Sequence, residues 1–282
     1  GIVYANGTEV IFSQTQWLKG SEINISNFGF TQKIGETSAL SLAVMAMNFG
    51  DIAVKTEDQP EGNIGNFSPS YMNISLAYAK AFSNSIFGGV TIKVINEAIS
   101  DISAQGVAID AGIQYVTGPE DNVRFGVSLR NIGPAMSYSG DGLSIRTLLP
   151  GKESMFTVEH RSSSFQLPSQ LNIGGAYDFN FENEHRLTVA GNFNSNSFNK
   201  DQWQVGMEYS LKNYLLIHGG YVYEEGLWDE AERTTVFTGP SAGASVQIPL
   251  NKENGSIISI DYSYRATNPF DGVHTFGAKI SL

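Results

Sequence analysis

The sequence predicts an all-β protein, a 14-stranded antiparallel, up-and-down transmembrane β-barrel spanning residues 1–282 as a single domain. Three observations predict it. Apolar residues recur at every second position over stretch after stretch. The connections between the stretches alternate between short, Gly/Asn/Asp/Ser-rich turns and longer loops. The composition fits neither a soluble domain nor a helical membrane protein: charged residues are 16% of the chain, hydrophobic residues 41%, and the mean hydropathy is −0.13. Soluble domains carry about 25% charged residues. A membrane helix needs about 20 predominantly apolar residues in a row. The longest weakly polar run, 39–49, is too short and is broken by Ser41 and Asn48. A barrel spreads its apolarity over alternate residues instead.

The first three strands are expected at 8–18, 22–33 and 38–49. They alternate least cleanly, and the second slips phase between Ile25 and Phe28, where a β-bulge is expected. From there the period of two is sharp. In 72–82, Met72, Ile74, Leu76 and Tyr78 oppose Asn73, Ser75, Ala77 and Ala79. After 86–98 come 104–117 (Val107, Ile109, Ala111, Ile113, Tyr115) and 123–132 (Val123, Phe125, Val127, Leu129). The second half follows the same rule at 170–181, 185–196, 202–212, 214–224, 236–250, 256–266 and 273–282. Alternate residues face opposite sides of a sheet, so each stretch is a two-faced strand, and helical spacing fits none of them.

Short connections are expected at 35–37, 83–85, 118–122, 182–184, 213 and 251–255. Longer ones are expected at 50–71, 99–103, 133–169, 197–201, 225–235 and 267–272. That is the plan of an outer-membrane barrel, with short periplasmic turns, long extracellular loops and, for an even strand count, both termini periplasmic. The competing reading is a soluble sandwich or lipocalin-like barrel. Globular strands average about five to six residues, shorter than these. The polar face is small and uncharged, with scattered opposite charges (Asp110, Arg124, Arg130, Asp178, Arg186, Glu208, Asp261, Arg265, Lys279), which suits a lumen better than an outer surface rich in Lys and Glu. Trp17, Tyr115, Tyr138, Tyr177, Trp203, Tyr209, Tyr223 and Trp228 near strand ends are expected to form interfacial girdles.

The net charge of −11 excludes a nucleic-acid partner, which needs clustered Lys and Arg. With no Cys, thiolate catalysis, disulfides and Cys-zinc sites are excluded. The four His (His160, His185, His218, His274) show no metal-ligand spacing, and no Gly-x-Ser-x-Gly elbow exists. His218 is expected to face either the lumen or the lipid interface. Gly88-Gly89 and Gly174-Gly175 lie inside strands, where they permit bends or close packing. Asp229, Glu230 and Glu232 read as a solvated acidic tip. No catalytic residue, metal or cofactor is expected, and the chain is expected not to be an enzyme.

The stretch 74–133 carries Gly88-Gly89-Val90-Thr91-Ile92-Lys93, Ala104-Gln105-Gly106-Val107-Ala108-Ile109-Asp110-Ala111-Gly112 and Arg124-Phe125-Gly126-Val127-Ser128-Leu129-Arg130-Asn131-Ile132-Gly133. It resembles the PorV/PorQ family of Bacteroidetes outer-membrane barrels, FadL-like fourteen-stranded proteins, and Thr56-Glu57-Asp58-Gln59-Pro60-Glu61-Gly62 is similar to that family's loop after the third strand. The resemblance implies a signal peptide and a further N-terminal segment before Gly1. It also implies a non-enzymatic role in type IX secretion. Such barrels bind cargo C-terminal signal domains at the large translocon barrel and shuttle them to the surface attachment complex.

For that task the loops are the physical candidates, since loops beyond about 12–15 residues are usually functional. They carry apolar residues that a solvated loop does not need: Ile64, Phe67, Leu148, Leu149, Met155, Phe156 and Phe165, with Trp228 and Phe270 in two other connections. These nine are the expected partner-binding set, against the alternative that they pack the loops over the barrel mouth. A FadL-like transporter of hydrophobic small molecules is the second functional reading.

Overall fold

Strands with one apolar and one polar face can stack as two sheets with their apolar faces together. They can also close into a ring, with lipid outside and water inside. The computed structural model describes residues 1–282 apart from 6, 63, 149, 152, 153 and 252–254. Among the described residues, fourteen antiparallel strands close into one barrel. They are β1 (Thr8–Trp17), β2 (Ile23–Ile34), β3 (Ser38–Asn48), β6 (Ser70–Ala81), β7 (Ile86–Ile99), β8 (Ile102–Thr117), β9 (Val123–Ile132), β12 (Gln170–Phe181), β13 (His185–Asn196), β14 (Gln202–Leu211), β15 (Leu215–Glu224), β16 (Phe237–Asn251), β17 (Ser256–Thr267) and β18 (Val273–Ser281). The loop after β3 holds a minimal hairpin, β4 (Ile52–Ala53) with β5 (Asn66–Phe67). The loop after β9 holds a longer one, β10 (Ser144–Leu148) with β11 (Met155–Glu159). Every strand pairs with its sequence neighbour in the ring, and β1 meets β18 from Glu9↔Ser281 to Gln16↔His274.

The burial pattern is inverted relative to a soluble protein. Leu76, Ile92, Ile113, Phe125, Val205, Ile217, Ile260 and Phe276 are all exposed on the outer face. An exposed apolar belt of this extent marks a surface that water does not cover. The opposite face carries charges, and ion pairs form on it: Lys93 with Asp110 at 2.6 Å, Arg124 with Asp178 at 2.6 Å, Arg186 with Glu208 at 3.2 Å, and Lys279 with Glu9 at 3.8 Å.

Four expectations need correction. The phase slip at Ile25 to Phe28 is not a bulge: β2 keeps unbroken register with β1 and with β3. Instead, Ile23 and Ile25 are apolar residues on the inward face, opposite the inward-facing Trp17 and Met47, so the hydrophobic set changes face while the backbone does not. Bulges occur elsewhere, at Asn131 (φ +58°) opposite β8, and in β16 near Pro240 and Pro249, whose missing N–H cannot join the ladder. The connection expected at 99–103 is a tight turn closed by Ile99↔Ile102, with Ser100 at φ +50°. Finally, Trp17 and Tyr138 are not girdle residues. Trp17 packs edge-on against Phe237, 5.6 Å away inside the barrel, while Tyr138 lies in the barrel mouth.

Leu76 projects from the middle of β6 on the outer face and is 54% exposed. Leu76→Arg is expected to destabilise the barrel by about 2–4 kcal/mol, the figure for a cation at the bilayer midplane. Urea titration of the chain folded into lipid vesicles measures it. An effect below about 0.5 kcal/mol, as for an ordinary surface change, would place this face out of contact with lipid.

Candidate functional site

The chain enters its longest loop through a constrained exit from β9. Asp110 Oδ1 accepts the backbone N–H of Asn131 at 2.9 Å, and Lys93 Nζ donates to Asn131 Oδ1 at 3.0 Å. Asn131 Nδ2 in turn donates to the Pro168 carbonyl at 2.9 Å, tying the loop's return leg to its departure. Gly133 follows because a Cβ there would collide with the carbonyl oxygen of Val107.

Both legs then turn into the barrel mouth. Met136 and Phe165 exchange backbone hydrogen bonds at 2.7 and 2.8 Å, and Ser139 exchanges a pair with Ser103, both at 2.9 Å. Met136 is buried against Ile95, Ala104 and Ala108 of the inner wall, with Tyr71, Tyr138, Phe165 and Leu167 packed around them. Gly106, on the inward face of β8, makes this possible: a Cβ there would strike the Met136 sulfur. Tyr138 stacks on Phe165 with centroids 5.4 Å apart and donates its hydroxyl to Glu97 Oε2 at 2.7 Å. The hydrogen bond to the Glu97 carboxylate, helped by burial and by the charge itself, pushes the Tyr138 phenol up to about 12. The loop therefore has a stem docked inside the mouth, and the β10/β11 hairpin projects beyond that stem.

The hairpin carries Ile145, Leu148, Met155 and Phe156, all exposed, with Leu148 opposite Met155 at the tip. Trp228, in the loop after β15, is 76% exposed yet held: its Nε1 donates to Tyr221 Oη at 2.9 Å and its ring lies 5.2 Å from Tyr223. Ile64 is exposed in the loop after β3. The expected set thus divides. Ile64, Leu148, Met155, Phe156 and Trp228 face outward at the long-loop end. Phe67 and Phe270 are half-buried. Phe165 belongs to the docked stem and is a packing residue. Leu149 lies outside the described residues. Ile145, absent from the expected set, joins the hairpin because β10 extends back to Ser144.

The lumen is the second candidate. A cavity of about 650 Å³ is lined in part by Thr91, Asp110, Gln114, Arg124 and Arg130. At the short-turn end, Tyr4 reaches into the lumen, donating to Gln114 Oε1 at 3.1 Å and packing 5.1 Å from Phe87. His218 faces the lumen, with Nδ1 3.2 Å from Glu208 Oε2 and Nε2 3.1 Å from Ser245 Oγ. The sequence conceals this constellation because its members come from three strands. Inward parity and strand register together bring them side by side. Among the described residues, no group of three or more His, Asp or Glu could hold a metal ion.

A closed antiparallel ring with an apolar exterior, a charge-paired interior and a loop folded into one mouth defines an outer-membrane β-barrel. Its fold is that of the FadL-like barrels. It superimposes on the Pseudomonas putida toluene transporter TodX with a TM-score of 0.58 at 10% identity, covering 98% of this chain and 88% of that one. A Pseudomonas aeruginosa FadL homologue gives 0.56 at 11%, covering 99% and 91%, and the Ralstonia pickettii toluene transporter TbuX gives 0.51 at 11%, covering 97% and 86%. At these identities the likeness is one of fold alone. The model of the family "Type IX secretion system membrane protein PorP/SprF" matches residues 63–276, and the chain belongs to that family. The matched family is thus PorP/SprF, and what it shares with the resemblance to PorV/PorQ is type IX secretion. No curated protein matches the chain by sequence.

Two outcomes follow from the docked stem. Gly106→Val displaces Met136 and frees the loop legs, so proteolysis or amide exchange within 133–143 and 160–169 is expected to accelerate at least tenfold while the barrel stays folded; unchanged protection would mean that the loop is held elsewhere. The raised phenol value gives a pH dependence. Free tyrosine titrates near 10, so the Tyr138 contact contributes stability that is fully present below about pH 10 and lost as pH rises through about 12. An alkaline absorbance titration should show a phenol ionising near 12 that Tyr138→Phe removes.

Proposed function

We propose that the chain is a binding and shuttle barrel of type IX secretion, of the kind implied by its resemblance to PorV/PorQ proteins, whose part in secretion involves no catalysis. It receives cargo proteins by their C-terminal signal domains at the large translocon barrel and passes them to the surface attachment complex. In this reading the long-loop end faces the cell exterior, the short turns and both termini face the periplasm, and the apolar belt contacts outer-membrane lipid. Membership of the PorP/SprF family supports the secretion role. The observation that carries the binding role is the β10/β11 hairpin, raised on a docked stem with Ile145, Leu148, Met155 and Phe156 in the open. Apolar anchors on a rigid support are the form that interface hot spots take, and a pre-set loop loses less entropy on binding.

Transport of a hydrophobic small molecule is the second reading, favoured by the fold shared with the toluene transporters. Against it, the stem packs into the mouth, and ion pairs sit on the lumen wall.

Gentle detergent extraction from outer membranes, followed by affinity capture, distinguishes the two. The first reading expects a very large barrel and secreted proteins sharing a C-terminal domain to co-purify. A monomer carrying fatty acid or another hydrophobic ligand overturns it. Replacing 144–159 by a short Gly-Ser turn should leave the barrel assembled and reduce capture of these partners at least tenfold. Undiminished capture would remove the hairpin from the binding surface.

A further inference from the structure

Three adjacent strands deliver Glu208, His218 and Ser245 to one patch of lumen wall. The register sets Glu208 opposite His218, and His218 opposite Gly243, two residues from Ser245 on the same face. A diagonal cross-strand neighbour is within reach of a long side chain. Because Gly243 offers no side chain, the imidazole can lean past it to the serine. The two ring nitrogens are used for different partners: Nδ1 stands 3.2 Å from Glu208 Oε2 and Nε2 stands 3.1 Å from Ser245 Oγ. Glu208 is itself steadied by Arg186 Nη2, 3.2 Å from its other oxygen. Arg186 already balances the Glu208 charge, so the imidazole is not needed for neutrality. What it adds is a base. With Nδ1–H donating to the carboxylate, the Nε2 lone pair is left to accept the serine proton.

We infer that Ser245 is a lumen nucleophile with His218 as its general base and Glu208 as the positioning residue that fixes the ring's tautomer. This is the arrangement of nucleophile, base and orienting acid by which serine hydrolases are recognised irrespective of fold. It is independent of the secretion reading. The substrate class is an activated ester small enough to enter the lumen. Ser245 is 8% exposed and paired on both sides, with Leu216 and Asp261, so its backbone amide belongs to the sheet ladder and gives no donor to a developing oxyanion. Only carbonyls with a good leaving group react under those conditions.

In the first half-reaction Ser245 Oγ bonds to the carbonyl carbon and its proton passes to His218 Nε2, the resulting imidazolium facing Glu208. The ester C–O bond then breaks, and the leaving alkoxide takes that proton and departs as an alcohol. In the second half-reaction a lumen water gives a proton to Nε2 and attacks the acyl carbon. The acyl C–Oγ bond then breaks, the Nε2 proton passes to Ser245 Oγ, and the carboxylic acid leaves. The sum is ester plus water to acid plus alcohol.

The test uses the full chain folded in detergent, with a fluorophosphonate probe and p-nitrophenyl butyrate. One covalent adduct is expected, on Ser245, with hydrolysis of the ester. Ser245→Ala, which removes a single oxygen and whose folding is checked by heat-dependent gel mobility, should abolish both. His218→Gln should slow labelling by about a hundredfold or more, in the range that general-base catalysis supplies. Wild-type labelling should rise with pH through one ionisation, absent in His218→Gln and shifted in Glu208→Gln. Absence of an adduct on Ser245, or labelling as fast in His218→Gln as in the wild type, overturns the inference.

Discussion

No backbone N–H or C=O can be left unpaired in hydrocarbon, where each costs several kcal/mol, and the structure depends on that constraint. It forbids an open sheet, so β1 must find β18 across the whole length of the chain, from Glu9↔Ser281 to Gln16↔His274. It also sets what the side chains are free to do. With the backbone paired around the ring, the outer face needs only to be apolar, while the inner face can carry charge. Lys93, Arg124, Arg186 and Lys279 each meet a carboxylate there. Departures from regular pairing fall at Asn131 and near Pro240 and Pro249. At the first, Asp110 replaces the ladder by accepting the free amide.

The exit from β9 shows how that constraint is converted into a surface. A β-bulge re-aims the chain, Asp110 and Lys93 capture the displaced backbone and side chain, and both loop legs descend into the mouth instead of fanning outward. Met136 then fills the space that Gly106 leaves open. The stem is thus an extension of the inner wall, and the hairpin above it inherits the wall's rigidity. An isolated two-stranded hairpin is marginal at best in water. This one is held at its base by the Met136 to Phe165 and Ser103 to Ser139 backbone pairs.

The barrel was legible in the sequence because period-two alternation and turn residues are local signals, and in a barrel the local signal is the fold. Strand limits at 123–132, 170–181 and 185–196 coincide with the observed ones. The misreadings of face share one cause. At the long-loop mouth the inner face turns apolar to receive the loop and the Trp17 to Phe237 contact, so Ile23, Ile25 and Trp17 look out of phase or lipid-facing when they are neither. The loop set was legible as apolar but not as inward or outward. Phe165 and Phe156 have the same composition signal, and only tertiary pairing sends one to the stem and leaves the other on the hairpin.

The lumen constellation marks the opposite limit. Ser245, His218 and Glu208 sit 27 and 10 residues apart along the chain, so no motif of fixed spacing contains them. Yet each lies on the inward parity of its strand, and consecutive antiparallel strands in register must bring inward residues of like height together. The same geometry that pairs Arg186 with Glu208 therefore sets His218 beside both Glu208 and Ser245. A closed up-and-down barrel turns sequence-distant inward residues into rows of neighbours. Chemistry in such a protein is to be sought along those rows of the wall, where register decides the neighbours, before it is sought along the chain.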